Sequence, residues 1–216
     1  IDAFTTKLFG GNPAAVCILD EWLSNGLMQK IAAENNLAET AFAVKKENHY
    51  ELRWFTPEIE VDLCGHATLA TSFVLYNYYG FQENTLRFIS PRSGELLVQK
   101  NEVGLFTMDF PTDDLIPVAE QPDISKAIGK QPLETFKGKT DYMLIYATQS
   151  DIEAIHPNFH LLNELDCRGV IVSSKGNDVD FVSRFFAPQC GIPEDPVTGS
   201  AHTTLAPYWS KKLGKL

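Results

Sequence analysis

The sequence predicts a mixed α/β protein built from two similar lobes. Apolar, strand-like stretches alternate with helical patterns along its 216 residues. A strand–loop–helix pattern in the first half of the chain returns near its end. A chain of this length with 44% hydrophobic residues also has enough apolar material for one core in each lobe.

The repeat is the strongest of these observations. Its first copy, residues 53–70, reads RWFTPEIEVDLCGHATLA, and its second, residues 184–205, reads RFFAPQCGIPEDPVTGSAHTTL. Arg53 pairs with Arg184 at an offset of 184 − 53 = 131, and His66 pairs with His202 at an offset of 202 − 66 = 136. The difference of five falls in the loop. Two units of one design predict a duplicated fold with a site shared between the halves.

Composition restricts the partners and the compartment. The formal net charge is −10, so the surface repels nucleic-acid phosphates and anionic lipids, and neither a nucleic-acid nor a membrane partner is expected. The four cysteines form no CxxC pair, which predicts reduced thiols in a cytoplasmic protein. Neither a signal peptide nor a membrane-spanning run is recognisable.

The chain opens with a strand over residues 1–4 and a Gly-Gly-Asn-Pro turn at residues 10–13. That turn could cradle an anion, although its glycines and proline are explained by the turn alone. A second strand follows at Ala14–Leu19. Helical spacing predicts a helix over Ser24–Asn35, with Ser24 as its cap.

Glu39 stands where the next turn enters an apolar strand ending at Val44. A carboxylate at the edge of an apolar strand is a candidate for a raised pKa, because desolvation disfavours its charged form. The alternative is a solvated turn glutamate with no chemical role.

A helix is predicted from Gly65 to about Tyr79, after a strand over Tyr50–Phe55. It is apolar nearly all round, which indicates burial. Its glycine-bearing start would offer unsatisfied N–H groups and a positive dipole end to an anion. His66 could cap the helix, titrate or bind a ligand; a structural histidine is the alternative.

Three further strands, at residues 86–89, 95–98 and 105–110, complete a first lobe assigned to residues 1–112, with Pro111 as the break. The second lobe, residues 113–216, repeats strands and short helices and ends in a helix starting near Ser200 that contains Pro207. In the first copy, strands follow the helix. The repeat therefore predicts that a C-terminal segment of the second lobe lies beyond this chain.

The candidate chemistry is proton transfer without a cofactor. Nucleotide-binding, P-loop, zincin and nucleophile-elbow motifs are not found, and the spacing of histidines, cysteines and carboxylates predicts no metal site. If both helix starts, at Gly65 and Gly199, point into one cleft, they would hold a carboxylate substrate beside Glu39, Asp195 and His66. Carboxyl groups in a dry cleft can serve as acid and base, so isomerisation or epimerisation fits better than redox chemistry or hydrolysis.

Five ordered motifs make the chain resemble the phenazine-biosynthesis PhzF-like family over nearly its whole length. They are GNPAAV at 11–16, NLAETAF at 36–42, RWFTP at 53–57, LCGHAT at 63–68 and the stretch 184–202. The resemblance implies the diaminopimelate-epimerase-like fold, in which each lobe wraps a curved, mostly antiparallel sheet around a central helix. It implies that Glu39 is the catalytic acid or base, supported by Asp195, with His66 and Ser200 at the two helix starts.

The resemblance also implies a small cyclic or amino-acid-like carboxylate as substrate and a homodimer as the assembly. Two alternatives stay open. A metabolite-binding or scaffold protein would keep the cleft without turnover. An amino-acid epimerase is the weaker of the two. Related epimerases use two cysteines as acid and base, and since Glu39 and Asp195 stand in those roles here, racemisation by a thiol pair is disfavoured; Cys64 is interpreted as a packing residue.

Overall fold

The computed structural model describes residues 1–110 and 112–215 as a mixed α/β structure with two curled sheets. The chain forms two compact units, Ile1–Phe110 and Pro111–Leu216. Each unit contains one of the sheets and its own apolar clusters. Pro111, the predicted break between the lobes, and Leu216 lie outside the described residues.

The first unit contains an eight-stranded sheet and two helices. The sheet order is β1-β2-β3-β4-β6-β7-β8, with β5 paired to β4. Two neighbouring pairs are parallel, β2 with β3 and β4 with β6, and the other pairs are antiparallel. The elements are β1 (Asp2–Ala3), β2 (Asn12–Leu19), α1 (Asn25–Asn35), β3 (Glu39–Lys45), β4 (Tyr50–Phe55), β5 (Glu60–Val61), α2 (Gly65–Tyr78), β6 (Thr85–Ser90), β7 (Gly94–Lys100) and β8 (Phe106–Met108).

Helix α2 is the central helix of this unit, and its predicted burial is confirmed over its first turns. Ala67, Ala70 and Leu75 belong to the main apolar cluster of the unit. Its buried hydroxyls donate to carbonyls four residues earlier, which offsets the cost of burying them. The last turn emerges into solvent, where Tyr78 is 71% exposed. None of the helices in the described parts of the chain is both long and apolar enough to cross a membrane.

The second unit contains a six-stranded sheet of order β14-β13-β12-β11-β10-β9 and four helices. Strands β11 and β12 are parallel, and the other neighbours are antiparallel. The elements are β9 (Ile116–Val118), α3 (Pro122–Ile128), β10 (Glu134–Lys137), β11 (Asp141–Ile145), α4 (Gln149–Glu153), α5 (Phe159–Asn163), β12 (Gly169–Lys175), β13 (Phe181–Ala187), a 3₁₀ turn (Pro188–Cys190), β14 (Ile192–Asp195) and α6 (Gly199–Leu213).

The two units repeat the same succession of elements. In each, a parallel pair is followed by an antiparallel strand, a short strand and a long helix: β2, β3, β4, β5 and α2, then β11, β12, β13, β14 and α6. The two arginines also match. Arg53 binds Glu60 through two hydrogen bonds of 2.7 and 2.8 Å, and Arg184 binds Glu194 through two of 2.7 and 2.9 Å. Each bidentate pair ties the antiparallel strand to the short strand that leads into the helix.

The helix starts correct one detail of the predicted repeat. Gly65 and Gly199 are the first residues of α2 and α6, an offset of 199 − 65 = 134. Counted from these glycines, His66 corresponds to Ser200, and not to His202, which is the fourth residue of α6. Between the arginine and the first residue of the helix, the second copy is therefore longer than the first by 134 − 131 = 3 residues. Pairing the two histidines requires a difference of five.

Pro207 lies inside α6 and cannot donate a hydrogen bond to the carbonyl of Thr203, four residues earlier. That carbonyl instead accepts from the backbone N–H of Asp113 at 3.2 Å. The Asp113 carboxylate also accepts from the hydroxyl of Thr204 at 3.3 Å. The proline thus frees a carbonyl that ties α6 to the beginning of the second unit.

Candidate functional site

Glu39 is the first residue of β3, beside the parallel strand β2, where it pairs with Ala14. The turn before it ends helix α1 through Asn36, which adopts the left-handed conformation with φ 49°. The Glu39 side chain is only 12% exposed. The solvated-turn alternative therefore does not describe this residue, which lies in a largely water-excluded position.

His66 is the second residue of α2, and its side chain is 3% exposed. Its Nε2 lies 3.3 Å from Oε2 of Glu39, so the structure brings together two of the predicted site residues. Burial lowers the pKa of His66 to about 4, an effect that the neighbouring carbonyl of Pro13 partly offsets. Although the distance is that of an ion pair, the imidazole is neutral at pH 7 and the contact joins a neutral ring to a carboxyl group.

Cys64 precedes α2 as its N-cap residue, and it is 4% exposed. It belongs to the main apolar cluster, which agrees with the packing role expected from sequence. Packing is not its whole role, because its Sγ lies 3.4 Å from Nδ1 of His66. Glu39, His66, Gly65 and Cys64 are called the first-unit site below.

Three donor atoms of metal-ligand type meet in the first-unit site. One atom each from Glu39, Cys64 and His66 lies within 4.8 Å of the other two. Carboxylate, thiolate and imidazole are all zinc ligands. However, the two short contacts of His66 use opposite ring nitrogens, and one metal ion can bind only one of them. The three side chains therefore do not present one chelating set of donor atoms.

The buried neutral state of His66 makes a measurable prediction for stability. The pKa is 6.5 in the unfolded chain and about 4 in the folded protein, so between these values only the unfolded state binds the proton. Stability is therefore expected to fall as the pH drops through this window, by about 3 kcal/mol in total, and to be unaffected by His66 at higher pH.

Urea unfolding across that window measures this loss. His66→Gln should flatten the pH dependence, whereas the control His160→Gln, at a side chain 83% exposed, should leave it as in the wild type. An unchanged pH dependence in His66→Gln would contradict the assignment.

In the second unit, Asp195 ends β14 and lies three residues before the N-cap residue of α6, Thr198. The Thr198 hydroxyl donates to Oδ2 of Asp195 at 2.6 Å. This bond fixes the carboxylate at the turn between β14 and α6. The half-buried residues Gly199 and Ser200 form the start of α6.

The hydroxyl oxygen of Ser200 accepts a hydrogen bond from Arg168, which also forms an ion pair with Asp141. Arg168 donates to Oγ of Ser200 at 3.3 Å and at the same time binds Asp141 through two hydrogen bonds, one of them 2.8 Å long. The guanidinium also lies over the ring of Phe185, 5.4 Å from its centroid. Asp141 is 4% exposed and Arg168 is only partly buried, so the pair joins a buried carboxylate to the start of the helix.

His202 is not among the site residues that the sequence motifs predict, but the structure places it beside Asp195. Both line a small depression, partly open to solvent, together with Thr198 and Val197. Nδ1 of His202 lies 2.8 Å from the carbonyl oxygen of Thr198. The repeat in the sequence includes His202. Pairing it with His66, however, assigns it the wrong position in the helix, so the sequence does not show that it lies beside Asp195. Asp195, Thr198, Gly199, Ser200 and His202 are called the second-unit site.

The starts of α2 and α6 lack the side-chain caps found on other helices. Ser24, Thr148 and Asn158 cap α1, α4 and α5 through their side chains. Cys64 and Thr198 make no such bond to their helices, and neither does Gln121 before α3, where Pro122 removes one donor. The first N–H groups of α2 and α6 are therefore not occupied by a cap, which suits an anionic ligand.

Comparison with known proteins gives a consistent result. The family model described as "Phenazine biosynthesis-like protein" matches residues 1–215. An uncharacterized isomerase of Pseudomonas aeruginosa is 50% identical over 215 residues, covering 100% of this chain and 82% of that protein. A second uncharacterized isomerase, from Halalkalibacterium halodurans, is 42% identical over 219 residues, with the same shares covered.

Solved structures agree. A crystal structure of a phenazine biosynthesis protein of the PhzF family from Enterococcus faecalis superposes with a TM-score of 0.90 at 49% identity, covering 99% of this chain and 82% of that one. A putative PhzC/PhzF protein from Clostridium difficile gives 0.87 at 46% identity, with the same coverage. A predicted epimerase from Pseudomonas aeruginosa gives 0.73 at 20% identity, which shows a shared fold.

Proposed function

Because the chain belongs to the phenazine biosynthesis-like (PhzC/PhzF) family, we propose that it is a cofactor-independent isomerase that moves a proton on a small cyclic or amino-acid-like carboxylate. The fold is of the diaminopimelate-epimerase-like type that the resemblance implied. Two of the relatives carry the name uncharacterized isomerase, which supports the reaction class.

The observation that carries the proposal is the buried contact between Glu39 and the neutral ring of His66. A carboxylate can act as a general base when it is held within reach of the proton, and burial can bring its pKa closer to the working pH. A neutral imidazole can donate one hydrogen bond to such a carboxylate without adding a positive charge that would weaken it as a base. Glu39 would take a proton from a substrate carbon as a carboxylate and return it to another carbon as a carboxylic acid.

Anion binding completes the proposal. The uncapped N–H groups at the starts of α2 and α6 are donors of the kind that bind a carboxylate, with Gly65, Gly199 and Ser200 as the binding residues. Asp195, fixed by the Thr198 hydroxyl, would support the reaction as a second carboxylate. That all of these residues serve one substrate, and that the protein works as a homodimer in the cytoplasm, are further parts of the proposal.

The test combines binding with proton exchange. Small carboxylates that differ in ring and amino group are screened for thermal stabilisation of the full chain, since a ligand that binds only the folded state raises the melting temperature. Each stabilising compound is then incubated with the protein in deuterated water and analysed by mass spectrometry. An isomerase incorporates deuterium at carbon; stabilisation without incorporation at any compound would instead support a metabolite-binding protein.

A further inference from the structure

The imidazole of His66 lies between a thiol and a carboxyl group. Nδ1 is 3.4 Å from Sγ of Cys64, a reduced cysteine, and Nε2 is 3.3 Å from Oε2 of Glu39. The ring and the thiol are both at least nine-tenths buried, at 3% and 4% exposure. The carbonyl of Pro13 also lies beside the ring. Few water molecules can therefore reach these groups to satisfy them in other ways.

With Glu39 as a carboxylate, proton counting selects one arrangement of hydrogens. A neutral imidazole carries one N–H and one lone pair, a carboxylate only accepts, and a thiol can donate. Both contacts are favourable when the ring proton is on Nε2, facing Glu39, and the S–H points at Nδ1. The opposite tautomer would direct a ring lone pair at a carboxylate oxygen and leave the N–H facing sulfur, a weak acceptor.

A charged alternative is disfavoured. An imidazolium paired with a thiolate would keep both contacts, but it places charges in a buried position. Burial already lowers the pKa of His66 to about 4, so the protonated ring is not the form present near neutral pH.

We propose that Cys64 is a positioning residue, whose S–H donates to Nδ1 of His66 and so keeps the ring N–H on Nε2, facing Glu39. This role rests on the proposed function and deepens it, since it sets which ring nitrogen presents a proton toward the carboxyl group of Glu39, 3.3 Å away. The hydrogen-bond arrangement itself does not depend on that function. It can therefore be tested without a substrate.

His202 provides an internal reference with the opposite tautomer. Its Nδ1 lies 2.8 Å from the Thr198 carbonyl, which only accepts, so the neutral ring carries its proton on Nδ1. In both units the residue just before the long helix thus faces Nδ1 of a histidine. In the first unit it is a thiol, which donates in the proposed arrangement, and in the second a carbonyl, which can only accept.

The experiment is ¹⁵N NMR of the histidine side chains in the full chain near neutral pH. A protonated ring nitrogen and an unprotonated one give clearly separated resonances, and long-range coupling to the ring protons identifies each. The chain has five histidines, and His66→Gln and His202→Gln assign the two signals of interest. We expect His66 to be protonated on Nε2 and His202 on Nδ1.

Substitutions at Cys64 then test the donor. In Cys64→Ala, Nδ1 of His66 loses its hydrogen bond, and its resonance should shift further from those of protonated nitrogens. Cys64→Ser retains a donor and should keep the wild-type pattern. Cys190→Ala, which removes another largely buried thiol at 9% exposure, should leave the His66 signals unchanged.

Three results would overturn the proposal. They are a His66 ring protonated on Nδ1 in the wild type; a ring protonated on both nitrogens; and His66 signals in Cys64→Ala that match the wild type. None of these depends on turnover, so failure here is distinct from failure of the proposed isomerase. With any carboxylate that the protein exchanges, Cys64→Ala should lower kcat more than it changes KM, and Cys64→Ser should restore kcat.

Discussion

Replacing Glu39 by glutamine is expected to abolish deuterium exchange at the substrate carbon. The amide has nearly the same shape as the carboxylate, but it cannot accept the proton. General acid–base groups contribute about 10²–10⁴-fold to a rate, so the exchange rate should fall by at least about 100-fold. Binding of the carboxylate, measured by thermal stabilisation, should be largely retained, because its donors belong to the helix starts.

Two control variants make this result specific. Glu34→Gln changes an exposed glutamate on α1, five residues earlier, and should exchange at the wild-type rate. Glu39→Asp keeps the carboxylate but withdraws it by one methylene from its contact with His66, so it should exchange slowly but measurably. If Glu39→Gln exchanges deuterium at the wild-type rate, Glu39 is not the acid or base of the reaction. This conclusion does not depend on the protonation state of His66.

The sequence predicted the element types of the first unit and the position of Glu39 well. Strand periodicity located β4 at Tyr50–Phe55 as observed, and the all-round apolar pattern indicated the buried α2. These features depend on residues near one another in sequence, and their patterns have a fixed period. The entry of Glu39 into an apolar strand was visible for the same reason.

The predictions were weaker where short strands depend on distant partners. Strands β9, β10 and β14 have three or four residues each, and two contain a proline, so their local pattern resembles a loop. Only their pairing with neighbouring strands makes them part of the sheet. The bond of Asp113 to the carbonyl freed by Pro207 is equally long-range.

Contacts between side chains in the sites were also beyond sequence reasoning. The sequence predicts a packing role for Cys64, which its burial supports, but its contact with Nδ1 depends on the rotamer of His66. The pair of Arg168 with Asp141 was not recognised, because neither residue stands in a repeat motif. It nevertheless lies beneath Ser200, one of the residues that the motifs did select.

Removing the guanidinium of Arg168 is expected to cause a large loss of stability in the second unit. Asp141 is 4% exposed, and Arg168→Met leaves its carboxylate buried without the charge that compensates it. Breaking a buried pair in this way costs about 3–5 kcal/mol, and the lower end applies here because the arginine side chain is 31% exposed. Urea unfolding would measure the change, and ligand stabilisation should weaken as Ser200 loses its donor.

Two further variants show whether the loss of stability comes from the buried charge of Asp141 or from lost packing of Arg168. One is at a surface ion pair, and the other is a double variant. Arg87→Met removes the arginine of the Arg87–Glu95 pair, whose side chains are 42% and 49% exposed, and should cost at most about 1 kcal/mol. Combining Arg168→Met with Asp141→Leu removes the uncompensated charge and should recover most of the lost stability. If the double variant is as unstable as Arg168→Met alone, the loss comes from the packing of Arg168 against Phe185, and the buried charge is not its cause.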